Sequence, residues 1–128
     1  MELKTVGYFK EMPHGLEHNP SIKDFINMED SLRVASICQY LQNGSVLIES
    51  PGVTTDVIHP EEGFSGTPTA YTDGTWVWPG DLGYYVEKYF LKLPEDFIRT
   101  MEENNWINPV ADADFANEPL VIDGIKLQ

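Results

Sequence analysis

Apolar positions recur along the chain with two distinct periods. Leu82, Tyr85, Val86 and Tyr89 fall at i, i+3, i+4 and i+7, the stripe of one helical face, and leave Glu87 and Lys88 toward solvent. Phe97, Ile98 and Met101 repeat that spacing after Pro94, Glu95 and Asp96, which are start signals, and the Asn104-Asn105 pair closes the segment. A further helix is predicted over Met28 to Asn43, with Asn27 and Asp30 placed to cap it and Gly44 as its C′ stop. Period-two alternation predicts strands over Leu3 to Lys10 and Ser45 to Glu49, and a partner strand over Val53 to Ile58 beyond the Pro51-Gly52 break. Pro13 to Pro20 and Pro60 to Gly66 read as loops, and Ser21 to Asn27 as a short turn of helix.

Asp73-Gly74, set between Thr72 and Thr75, predicts a two-residue type I′ hairpin, whose central positions both need positive φ. In that register Tyr71 opposes Trp76 and Thr69 opposes Trp78. Tyr71, Trp76 and Trp78 then share one face, with Ala70 and Val77 on the other. Pro79 and Asp81 suit the first turn of the helix that follows. Rings at such regular spacing are core; a stacking platform for nucleic acid comes interleaved with Lys and Arg. Trp106 is expected to fold back onto the core, and Leu120 to Leu127, with Asp123-Gly124 inside it, reads as a terminal strand or small hairpin. The pattern predicts one α+β domain over residues 1–128: an antiparallel sheet with an Asp-Gly hairpin, packed against about three helices.

Composition bounds what that domain needs. A chain of 128 residues with 41% hydrophobic content buries a core without disulfide or metal, and no cofactor is expected. Cys38, the sole cysteine, sits among Val34, Ala35, Ile37 and Leu41 and reads as a buried, inert thiol. The opening residues lack an apolar run of signal-peptide length and no segment approaches a membrane span, so cytoplasmic residence is expected.

Charge narrows the partners. The formal net charge is −13, and from Val34 to Glu87 there is neither Lys nor Arg, while Glu49, Asp56, Glu61, Glu62, Asp73, Asp81 and Glu87 fall inside that stretch. Binding to a phosphate backbone or an anionic membrane requires basic residues that this chain lacks. An acidic surface attracts basic partners instead, and accelerates and filters their encounter.

His14-Gly15-Leu16-Glu17-His18 spells the H-x-x-E-H pattern in which two helical histidines bind zinc and the glutamate acts as base. Pro13, Gly15 and Asn19-Pro20 oppose the helix that this chemistry needs, so two exposed loop histidines are expected. Two alternative readings remain at this stage: a small metal-dependent hydrolase at His14, Glu17 and His18, or an acidic scaffold binding some other basic protein.

The run from Tyr71 through Trp76-Val77-Trp78-Pro79, then Leu82, Tyr85-Val86, Tyr89, Leu93-Pro94 and Phe97, resembles small immunity proteins of bacterial polymorphic or contact-dependent growth inhibition toxin systems. Ile37 to Gly44 followed by Ser45 to Ile48 is similar to the helix, glycine stop and strand that such sequences place before a loop with an Asp like Asp56. The resemblance covers Val34 to Trp106 and carries no catalytic residue. It implies a non-enzymatic inhibitor that binds a cognate toxin domain and blocks its active site. Many such toxins are basic nucleases, which an acidic protein meets as a phosphate mimic. From Leu93 to Ile125 eight acids stand against Arg99 alone. The expected contact residues are Glu95, Asp96, Glu102 and Glu103 on the last helix and Asp112, Asp114 and Glu118 beyond it, with Trp106 or Phe115 as apolar anchor.

Overall fold

The computed structural model describes residues 1–110 and 119–126. Eight strands and three α-helices follow in the order β1 (Glu2–Thr5), α1 (Ser31–Gln42), β2 (Ser45–Ile48), β3 (Thr54–Thr55), β4 (Phe64–Gly66), β5 (Ala70–Thr72), β6 (Trp76–Pro79), α2 (Leu82–Tyr89), α3 (Glu95–Glu103), β7 (Val121–Ile122) and β8 (Ile125–Lys126). Short 3-10 turns occupy Ile22–Asp24 and Pro60–Glu62. Six strands form one sheet in the order β2-β5-β6-β1-β7-β8, and β3 and β4 form a separate pair. Among the described residues the fold is α+β with three α-helices, as the periodicities predict. Its sheet is mixed rather than antiparallel throughout, because β1 lies parallel to both β6 and β7. Among the described residues no helix is long and apolar enough to cross a membrane.

The aromatic face is the one expected, although the register is not. Tyr71 pairs with Trp78 and Thr72 with Val77, which leaves Asp73 to Thr75 as the loop between β5 and β6. Only Gly74 of the Asp73-Gly74 pair has positive φ, +93°. Asp73 forgoes the type I′ turn because its carboxylate organises the loop: Oδ1 accepts from the Thr75 and Trp76 N–H groups at 2.9 and 2.8 Å. Side chains alternate with period two, so moving Tyr71 from Trp76 to Trp78 keeps all three rings on one face. Trp76 and Trp78 lie 5.2 and 5.4 Å from Phe97 of α3, and Tyr40 of α1 lies 6.1 Å from Trp78. These rings, with Ile37, Leu41, Leu82, Tyr85, Val86, Ile98 and Met101, are the main core. Ala70, Val77 and Leu3 are buried on the opposite face of the sheet.

Other boundaries move for local reasons. The first strand ends at Thr5 instead of Lys10, since Gly7 turns the chain at φ +85° and a Cβ there would meet Leu82 at 2.8 Å. Asn27 does not cap α1; it is left-handed at φ 60° and gives its N–H to the Tyr89 carbonyl. Asp30 caps instead, accepting from Leu32 N–H at 2.9 Å. Pro79 closes β6 rather than opening a helix. The Gly80 N–H bonds to the carbonyl of Thr69, just before β5, so the N–H that proline lacks would have pointed toward β1, which has already left the sheet. The second Asp-Gly pair, Asp123-Gly124, does take positive φ at both positions, 51° and 81°, and joins β7 to β8 as a hairpin.

Candidate functional site

Helix α3 presents the acidic side chains singled out from the sequence. Phe97, Ile98 and Met101 fix its orientation by burial, which leaves Glu95, Asp96, Glu102 and Glu103 exposed. The two ends of the helix differ electrostatically. Glu95 accepts from Lys92 Nζ at 2.5 Å and lies 3.8 Å from Arg33, a residue of α1. The Lys92 ammonium above all, then Arg33 and Arg99, hold its carboxyl below the usual range. Asp96 pairs with Arg99 at 3.0 Å. Glu102 and Glu103, one turn or more farther on, have no ion pair among the described residues. Lys92 and Arg99 stand three residues from their acids along the sequence, whereas Arg33 reaches α3 only through the packing of α1 against it.

Trp106 is half-buried against the core, as expected, and has a left-handed backbone at φ 60°. The apolar side chain that reaches solvent beside it is Ile107, 69% exposed. Both line a shallow depression of about 440 Å³ with Asn43, Ser45, Asn108 and Val110. Asn108 shapes it by donating to the Asn43 carbonyl and to Ser45 Oγ at 3.0 and 2.9 Å. The sequence gives Ile107 no periodic signal, since it lies past the helix end. Asp112, Asp114, Phe115 and Glu118 lie outside the described residues.

A second concentration of polar chemistry surrounds the loop from Val53 to Gly63. The predicted strand here is only two residues long and pairs with β4, while β2 pairs with β5. Asp56 draws the loop onto α2 instead. It is fully buried, and its Oδ1 accepts from the Ile58 and His59 N–H groups, both at 2.8 Å. Its Oδ2 accepts from the hydroxyls of Tyr84 and Tyr89 at 2.8 and 2.5 Å. Burial by itself would raise the pKa of Asp56, yet these four donors hold it below the usual carboxylate range. Tyr85 adds a third tie, accepting from Val57 N–H at 3.0 Å and donating to the Thr55 carbonyl. The loop thereby presents Glu61 and Glu62 to solvent, with Lys88 of α2 bonded to Glu62.

The H-x-x-E-H motif folds as successive turns, not as a helix, and Glu17 and His18 are exposed on it. His14 departs from the exposed loop position expected of it. Its imidazole is mostly buried and lies 3.4 Å from the Asp81 carboxylate. Asp81 stands at the start of α2 without a side-chain capping bond. Among the described residues no three His, Cys, Asp or Glu side chains stand close enough to hold a metal ion. Cys38 is buried and its Sγ contacts the Gly83 carbonyl at 3.6 Å. Burial first, and Glu87 second, push its thiol up to about 11, which suits an inert residue.

No family model matches the chain, no curated protein matches its sequence, and no solved structure matches its fold.

Proposed function

We propose that the protein is a non-enzymatic immunity protein that binds a basic toxin domain and blocks its active site. One observation carries this reading: the exposed carboxylates outnumber the cations available to them. Glu2, Glu17, Asp24, Glu49, Glu87, Glu102 and Glu103 are exposed and have no ion pair among the described residues, against Lys4, Lys10, Lys23 and Lys126 as cations in the same state; Arg33, Lys88, Lys92 and Arg99 are each already engaged with an acid. Such a surface gains most from a partner that supplies the missing positive charge, and it repels phosphate backbones. The resemblance between Val34 and Trp106 points to the same class of partner. Glu102 and Glu103 provide its charged contacts, together with Asp112, Asp114 and Glu118, and Ile107 beside Trp106 provides an apolar anchor.

The test is survival of cells that express the toxic domain encoded beside this gene, with and without this protein. Rescue accompanied by a complex that weakens as salt rises is the expected result. Absence of both rescue and complex would overturn the reading.

A further inference from the structure

Between the turn that carries His14 and strand β3 lies an open cleft of about 600 Å³. Glu11, His14 and Asp56 contribute its polar wall, and Pro13, Val53 and Pro60 its aliphatic one; neither Lys nor Arg lines it. Both acids that line it are fully engaged. Glu11 accepts from Ile22 N–H at 2.9 Å and from the Ser21 hydroxyl, and Asp56 accepts four hydrogen bonds.

Asp81, directly behind His14, is different. It is 1% exposed, and its Oδ1 has no hydrogen-bond partner. Both nitrogens of His14 are likewise buried without one. An edge contact with Tyr8, centroids 6.0 Å apart, is the ring contact that holds the imidazole in place. Buried carboxylates in native proteins are ordinarily completed by donors, and Asp81, which lies behind the cleft wall and faces the His14 imidazole at 3.4 Å without a hydrogen bond, keeps acceptor capacity for a cation that enters past His14.

We infer that the cleft receives a lysine or arginine side chain of a protein partner. The inference rests on the proposed function for the source of that side chain. The aliphatic stem lies along Pro13, Val53 and Pro60, as long basic side chains do on apolar surface. Its N–H donors replace the His14 imidazole against Asp81 Oδ1 in a charge-assisted hydrogen bond, and His14 gives up its 3.4 Å contact with that oxygen and turns aside.

The probe is N-acetyl-arginine N-methylamide, titrated into the ¹⁵N-labelled full chain, with the uncharged N-acetyl-citrulline N-methylamide as control. Saturable shifts of the Val53 to Val57 amides and of the His14 imidazole are expected with the arginine compound. Binding should be about tenfold weaker for the citrulline compound and for Asp81→Asn, the loss of one charge-assisted bond. His14→Ala, which uncovers Asp81, should bind the arginine compound at least as tightly as wild type. Equal binding of the two compounds, absence of saturable shifts in the cleft, or wild-type affinity in folded Asp81→Asn would overturn the inference. Since the probe is a single amino-acid derivative, failure of the cleft and failure of toxin rescue are read separately.

Discussion

The Tyr40 hydroxyl donates to Asp73 Oδ2 at 2.6 Å, joining the last turn of α1 to the loop between β5 and β6. Asn104, at the end of α3, donates to the same hydroxyl at 3.0 Å. Three elements that are distant in sequence therefore meet at one phenol oxygen. Tyr40→Phe leaves the 1% exposed Asp73 with an acceptor unfilled and should cost about 1–3 kcal/mol in urea denaturation. Asp73→Ala should cost more, because the Thr75 and Trp76 N–H groups also lose their acceptor.

The Asp56 cluster should bound stability at both ends of the pH range. The folded-state pKa of Asp56 lies below its ordinary 3.8, so its contribution is complete above that value and is lost as pH falls through the folded value. Tyr84 and Tyr89 shift the other way, raised from 10.0 by burial and then by Asp56 itself. Their contribution is complete below pH 10 and is lost as pH rises beyond it. The gap between the denaturation midpoints of wild type and Asp56→Asn should begin to narrow as pH falls below about 4.

Gly44→Ala should destabilise the fold by about 1–3 kcal/mol, measured by thermal unfolding. A Cβ at Gly44 would stand 2.5 Å from Trp78 Cζ2 and 2.9 Å from Tyr71 Cβ. Trp78 cannot yield, being 1% exposed and bonded through Nε1 to the Leu41 carbonyl.

Cys38 should resist thiol reagents in the native protein at pH 8 and react freely once the chain is unfolded. A rate in the folded state equal to that in denaturant would contradict a thiol pushed up to about 11 by burial.

Charge reversal at Glu102, Glu103, Asp112 and Asp114 together should weaken toxin binding at least about tenfold and flatten its salt dependence. Reversal of Asp96 alone should matter little, since Arg99 already occupies it. Unchanged neutralisation by the fourfold variant would move the interface away from α3.

Strong periodicity made the helices legible, and the shared face of Tyr71, Trp76 and Trp78 survived even a wrong turn type. What escaped the sequence was decided by contacts between distant segments. Two identical Asp-Gly pairs fold differently because the Asp73 carboxylate caps its own loop, whereas that of Asp123 accepts from the N–H and hydroxyl of Thr5. Gly44 looks like a helix stop, yet it is not among the residues with positive φ; the glycine is needed for the approach of Trp78. Likewise, the pairing of Glu95 with Arg33 and of His14 with Asp81 leaves no trace in local spacing.

The insertion of β1 between β6 and β7 sets an order on folding. Lys4 waits for Trp76 on one side and Glu2 for Val121 on the other. Pairings of such high sequence separation are slow to form, and during synthesis the side of β1 that faces β7 stays open until Val121 has left the ribosome. A nascent chain halted before that point carries an unsatisfied strand edge, the template on which other chains aggregate.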